Sequence, residues 1–250
     1  MNDALARVLP SAADSSRPWL TWYSPDERIE LTGHVLSMWH AKCAGFLTAE
    51  AGPGARVHLG MTPHWRTVTW CAGAWLAGAT PVLLDSGDSF VENLLDEPPS
   101  ISVAFRIHWL FPSADVQVLV TMGSLATHWP TPLPPLTLDG IADVMPFSDH
   151  FPPAPTDGSE PALIVPQRDG LRTTSRDALV APAQSDAVEK ALGTGARALL
   201  IREETVERAM GGVMAAWRAG LTAVLISPDA DAALVSAAAR QEGIQESIHE

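Results

Sequence analysis

Only two cysteines, two lysines and one tyrosine occur among the 250 residues, and each scarcity narrows what the chain can be. Cys43 and Cys71 stand in apolar helical patterns, too few and too far apart for a disulfide framework or a CxxC metal or redox site. Two reduced core thiols are expected, because free cysteine behaves as a small buried hydrophobe. Lys42 and Lys190 follow no glycine-rich stretch, so a Walker phosphate loop is excluded, and no GxSxG nucleophile elbow occurs. Basic charge is also short: 16 Lys and Arg stand against 29 Asp and Glu, a net charge of −13. The imbalance is shared, with 7 basic and 12 acidic side chains before His128 and 9 and 17 after it. An acidic surface repels phosphate backbones and anionic headgroups, which argues against nucleic acid and against a membrane surface as partners. The start, MNDALARVLPSAAD, has no basic region followed by an apolar core, so no signal peptide is expected. Residues 67–84 are free of charge but broken by Gly73, Gly78 and Pro81; a buried helix followed by a buried strand explains them better than a membrane span. A cytoplasmic, soluble protein is the expectation.

What is present is a globular composition, 46% hydrophobic and 18% charged, and an internal repeat. Gly54-Ala55-Arg56-Val57-His58-Leu59 recurs as Gly195-Ala196-Arg197-Ala198-Leu199-Leu200. Ala74-Trp75-Leu76-Ala77-Gly78-Ala79-Thr80-Pro81-Val82-Leu83 recurs as Ala216-Trp217-Arg218-Ala219-Gly220-Leu221-Thr222-Ala223-Val224-Leu225, at offsets of 141 and 142. Each copy reads strand, helix, strand: residues 57–61, 64–77 and 80–84 in the first, 198–201, 203–219 and 222–226 in the second. Gly78 and Gly220 take the left-handed position that closes a helix. Such units require mainly parallel sheets covered by helices, so the fold class is α/β, built twice. Around them, residues 19–23 and 28–31 form a hairpin, and Thr32 caps a helix with the stripe Leu36, Trp39, Cys43, Phe46 and Leu47 that Gly52-Pro53-Gly54 ends. Nine of the 33 residues 129–161 are proline, which favours extended connector. The division is a first α/β lobe over 1–128, the connector 129–161, and a second lobe over 162–250, with a last amphipathic helix within 229–243.

Few residues carry chemistry. The eight histidines lack metal-ligand spacing: His34 and His40, like His58 and His64, are six apart, and a spacing of four is what places two ligands on one helical face. Scattered surface or partly buried histidines and no metal site are expected. Trp39, Trp75 and Trp217 fall on apolar helix faces and fill core. Trp65 and Arg66 stand at a helix start where an anion could bind, with a plain cap as the simpler reading. Residues 162–165, the Pro166-Gln167-Arg168-Asp169-Gly170 turn and residues 171–176 form a hairpin. Its arginines and hydroxyls could hold an anion through Arg172, Thr173 and Thr174; the alternative is a solvated hairpin in which Asp169 and Asp177 offset the arginines.

The order of a Thr-capped helix ending in Gly-Pro-Gly, a strand from Ala55-Arg56-Val57, then Pro63 and a helix running into Ala77-Gly78-Ala79-Thr80-Pro81-Val82 resembles the N-terminal part of the adenylate-forming superfamily, the acyl-CoA synthetases, nonribosomal peptide adenylation domains and luciferases. Residues 199–225 are similar to that family's next subdomain, so the resemblance implies two related α/β subdomains. It also implies a Gly/Ser/Thr-rich phosphate loop ending in Pro-Lys-Gly between two strands. Here the short turn 166–171 stands in its place, with one glycine and no lysine, and it lacks the flexible positions needed to wrap a phosphate. The family's later adenine and ribose motifs and its C-terminal lid with the catalytic lysine have no counterpart in the 250 residues. The resemblance therefore implies a shortened relative that is not an enzyme: a binding or interaction module with no catalytic residue and no cofactor, and with a homodimer or hetero-partner covering the face left by the missing half. The alternative is a nucleotide- or acyl-handling, ligase-like enzyme or subunit that needs a partner chain and binds ATP or AMP.

Overall fold

The computed structural model describes residues 3–84, 95–167, 170–181 and 186–244. A short helix α1 (Ala4–Val8) leads into the hairpin β1 (Pro18–Tyr23) and β2 (Arg28–Thr32), then the long helix α2 (Gly33–Ala51). The first crossover follows: β3 (Arg56–Gly60), α3 (Trp65–Leu76) and β4 (Thr80–Val82). Three short strands, β5 (Ile101–Ala104), β6 (Val116–Leu119) and β7 (Thr137–Asp139), precede the hairpin β8 (Pro161–Gln167) and β9 (Gly170–Ser175). Helices α4 (Arg176–Val180) and α5 (Asp186–Gly193) lead to the second crossover, β10 (Ala198–Arg202), α6 (Val206–Arg218) and β11 (Thr222–Ile226), and α7 (Ala232–Gln241) follows.

Side chains local to each helix start fix where it begins. The hydroxyls of Thr32, Ser175 and Thr205 and the carboxylate of Asp231 accept from the amides of Val35, Ala178, Arg208 and Leu234, satisfying donors that have no partner inside the helix. Both crossover helices end alike. Gly78 and Gly220 each sit at φ 72°, and the amides of Ala79 and Leu221 bond back to the carbonyls of Ala74 and Ala216. A Cβ at Gly78 would also meet the Cβ of Ala154 at 3.1 Å, whereas one at Gly220 would meet nothing within 4 Å. Gly220→Ala therefore isolates the conformational cost, about 1–2 kcal/mol, and Gly78→Ala is expected to lower the urea midpoint further.

Seven strands form one sheet in the order β7-β6-β5-β3-β4-β8-β9, parallel except for the β8–β9 hairpin. Four form another in the order β10-β11-β1-β2, parallel except for β1–β2. The fold class is α/β with mainly parallel sheets, as the sequence predicts. Neither sheet is confined to one side of the proline-rich stretch. Strands β8 and β9 extend the first crossover's sheet, β1 and β2 extend the second's, and β7 lies inside the stretch itself. Lys42, on the buried side of α2, holds that stretch down: its Nζ donates to the carbonyls of Met145 (2.7 Å) and Phe147 (2.6 Å) and pairs with Asp149.

The main core lies between the sheets. Leu20 and Trp22 of β1, Val57 and Leu59 of β3, Leu36 and Phe46 of α2, Trp75 of α3, Val213 of α6 and Leu225 of β11 belong to one cluster. Val82, Phe111 and Ile164 pack on the other face of the larger sheet, and Tyr23, Val224 and Ala238 on the outer face of the smaller one. The helix α2 buries Leu36, Cys43, Phe46 and Leu47 of the predicted stripe, leaves Trp39 half-buried, and takes in His40, Ala41 and Lys42 as well.

Candidate functional site

Strands β3, β4 and β8 lie side by side, and their carboxyl ends share one edge of the seven-stranded sheet. In open parallel sheets ligands bind beyond the carboxyl ends of the strands, where the chain turns away and leaves a crevice. Here that crevice has a volume of about 280 Å³. Its floor is apolar, built from Leu59 and Met61 at the end of β3, Leu83 and Leu84 after β4, and Val165 of β8. Its mouth faces the start of α6, where Glu204 and Glu207 flank the capping residue Thr205. Carboxylates are stabilised at a helix N-terminus, and both side chains line the crevice there.

A second groove of about 600 Å³ runs beside the first, bounded by β9, α4 and α6, and Glu207 belongs to both. Of the residues that the sequence points to, Arg172 and Thr174 line this groove and Thr173 does not. The reason is the strand period of two: Arg172 and Thr174 share a face with the pairing between them, Arg172 Nη1 donating to Thr174 Oγ1 at 3.4 Å, and Thr173 points to the other face. Arg172 does not stand open. Its Nη2 forms an ion pair with Glu207, 35 positions later in the chain. The groove's other guanidiniums are likewise engaged, Arg208 with Glu203 at 3.2 Å and Arg218 with the carbonyl of Val180 at 2.7 Å. The hairpin pairs as far as Gln167 with Gly170, so two residues, Arg168 and Asp169, join the strands. Both lie outside the described residues. Arg176 is 1% exposed and turned inward: it donates to Asp3 and to the carbonyl of Trp75, so it does not join Arg172 in the groove.

Close to the crevice, His64 caps α3, its Nδ1 accepting from the amide of Arg66 at 3.0 Å. Burial, aided by the Arg66 charge and opposed by a backbone hydrogen bond with Met122, pushes its pKa down to about 3. Arg66 is buried as well. Its guanidinium stacks 4.3 Å from the Trp65 ring and 5.6 Å from Trp39, and donates to the carbonyl of Gly123. Burial lowers it to about 10, against the opposing attraction of Cys43, Glu27 and Asp139. This helix start is thus a cap and a strap for residues 123–124.

The expectation of surface or partly buried histidines fails at three positions: His40, His58 and His64 are each at most 1% exposed. His58 is accommodated by Ser102 Oγ (2.9 Å) and the carbonyl of Leu84 (3.1 Å), partners from a neighbouring strand and loop that sequence spacing cannot reveal. His40 has no hydrogen bond at either ring nitrogen among the described residues, and burial lowers its pKa to about 3. Burial pushes the thiols of Cys43 and Cys71 up, Cys43 to about 12, which makes both unreactive at neutral pH. Among the described residues no three His, Cys, Asp or Glu side chains group as a metal would need, and no helix is long and apolar enough to cross a membrane.

Set beside known proteins, the chain matches no family profile. Over 78 residues it is 40% identical to the TIGR03089 family protein of Mycobacterium tuberculosis, covering 30% of this chain and 32% of that relative. Among solved structures, a Brucella canis acyl-CoA synthetase superposes over 98% of this chain and 46% of its own, with a TM-score of 0.77 and 16% identity. The N-terminal domain of FACL13 from Mycobacterium tuberculosis gives a TM-score of 0.67 at 16% identity, covering 98% of this chain and 62% of that one. A benzoate CoA ligase from Burkholderia xenovorans gives 0.68 at 15% identity over 95% and 48%. The chain therefore has the fold of the N-terminal region of the acyl-CoA synthetases, in agreement with the resemblance carried by its sequence. It covers less than half of the Brucella enzyme, and the 78-residue match covers about a third of the curated relative.

Proposed function

We propose that this protein is a non-catalytic binding module on the N-terminal fold of acyl-CoA synthetases. The observation that carries the reading is the Arg172–Glu207 ion pair in the groove beside the crevice, with Glu207 lining both. Arg172, the guanidinium that the sequence points to for an anion, already holds a carboxylate of its own chain, and Glu204 adds a negative charge to the lining of the neighbouring crevice. A hairpin joined by two residues supports the same reading, since a phosphate cradle needs several backbone amides free to converge. The test is calorimetric titration with Mg-ATP and with AMP. No saturable heat that depends on Arg172 is expected; micromolar binding, about −8 kcal/mol, that Arg172→Ala abolishes would overturn the proposal. Because the pair is exposed, with 43% of the Arg172 side chain and 31% of Glu207 accessible, Arg172→Ala is expected to change unfolding stability by less than about 1 kcal/mol.

The crevice itself favours a second reading, a nucleotide- or acyl-handling ligase-like subunit that works with a partner chain, because its place at the strands' carboxyl ends suits a ligand of small-molecule size. Under this reading Glu207→Gln frees Arg172 and strengthens nucleotide binding, and Arg172→Ala abolishes it. Either reading is compatible with a second copy or another chain covering this edge. Ile107 follows β5, Met122 and Leu125 follow β6, and all three are exposed at the carboxyl ends of their strands. Light scattering at micromolar concentration tests this: a mass above that of one chain, or a co-purifying protein, is expected.

A further inference from the structure

A different cavity opens at the opposite, amino-terminal edge of the four-stranded sheet. Strands β1, β11 and β10 are adjacent and parallel, so their starts lie together, with Leu20 beside Ala223 and Ala198 beside Thr222. The cavity there has a volume of about 540 Å³, within the range of small-molecule sites. Arg17 and Arg197 both line it. Arg17 lies 4.8 Å from the Trp19 ring and uses only Nη1, donating to Thr222 Oγ1 (3.2 Å) and to the carbonyl of Pro18 (3.4 Å). Its Nε and Nη2 donors make no hydrogen bond among the described residues, and neither does the exposed guanidinium of Arg197. Among the described residues Glu242 is the one carboxylate in the lining, and its Oε1 accepts from Tyr23 (2.6 Å) and from Arg28 (2.7 Å).

Arg17 and Arg197 thus line one cavity and neither forms an ion pair among the described residues, in a chain whose net charge is −13. Guanidinium forks match the geometry of tetrahedral oxyanions and bind them with several charge-assisted hydrogen bonds. Two such cations complement a dianion better than a singly charged carboxylate, and Pro18, Ala196 and Leu221 give the rest of the cavity an apolar wall. We propose that this cavity binds the phosphate group of a small phosphorylated molecule, at a site separate from the crevice at the ends of β3, β4 and β8.

The experiment is calorimetric titration of the whole chain at low ionic strength with inorganic phosphate, ribose 5-phosphate, ribose and acetate. Ribose 5-phosphate and phosphate are expected to bind saturably, with the ester the tighter if the apolar wall contributes, and ribose and acetate are expected not to bind. The Arg197 side chain is exposed and makes no hydrogen bond or ion pair among the described residues, and its carbonyl keeps the bond from the Thr222 amide in any variant, so Arg197→Ala should fold normally; it is expected to weaken binding roughly tenfold or more. Arg17→Ala should do the same and Arg172→Ala should leave binding unchanged, which separates this site from the crevice. Added salt should weaken binding, as for any charge-driven contact partly open to solvent. No saturable heat with either phosphate up to millimolar concentration, equal binding of acetate, or wild-type affinity in Arg197→Ala would each overturn the proposal.

Discussion

Asp3→Ala is expected to destabilise the protein by about 3 kcal/mol or more, read as a fall in the urea midpoint without a change in slope. The size follows from where the charge sits. Arg176 is 1% exposed, and its Nη2 lies 2.6 Å from Asp3 Oδ2 and 3.0 Å from the carbonyl of Trp75. Removing the carboxylate leaves a guanidinium buried without its counter-ion, the costly way to break such a pair. Asp3 also accepts from Thr156 (2.9 Å) and caps α1 through the amide of Leu5 (3.1 Å). Asp3→Asn keeps a cap acceptor and removes only the charge, so it separates the two contributions. In a double-mutant cycle, Arg176→Met combined with Asp3→Ala should cost clearly less than the two changes added, because the double variant leaves no unpaired charge. Burial by itself raises the Asp3 carboxyl, but the hydrogen bond and charge of Arg176 outweigh it and hold it below its ordinary 3.8. The contribution is therefore complete above that value and is lost as pH falls through the lowered native one.

Acid acts earlier through two histidines. His40 and His64 are buried with pKa values pushed down to about 3, from 6.5 in the unfolded chain. Between those values the unfolded chain binds protons that the native one refuses, so stability is full above 6.5 and falls as pH drops toward 3. From pH 7 to pH 5 each histidine is expected to remove about 2 kcal/mol. His40→Leu, close in volume and with no hydrogen bond among the described residues to lose, should cut that loss by about half while leaving stability at pH 7 equal or higher. Urea unfolding at a series of pH values checks this, and a variant with the same acid slope as the wild type would refute it.

Much of the fold is legible in the residues because the chemistry that decides it is local. Thr32 and Thr205 cap helices with amides three positions on, Gly78 and Gly220 close them, and the alternation around Arg172 sets a strand. From these follow the two strand–helix–strand crossovers, the parallel sheets and the likeness to the synthetases' N-terminal region. Short elements such as β5 and β7 leave weaker traces, since four or three residues cannot display a period. The candidate site is legible only in part. Arg172 and Thr174 can be picked out as residues, and strand alternation suffices to turn Thr173 away.

The amino-acid sequence alone determined the α/β class and where the capped and glycine-closed helices start and stop, each through interactions that reach only a few positions along the chain. Which sheet edges meet, and hence which charges meet, was decided by the tertiary structure. The insertion of β1 beside β11, the closure of Arg172 by Glu207, the burial of Arg176 on Asp3 and the meeting of Arg17 and Arg197 in the lining of one cavity all join residues distant in the chain. Such pairs leave no periodic mark, because what brings them together is the packing of two sheets around a shared layer of helices rather than any property of the segments that carry them.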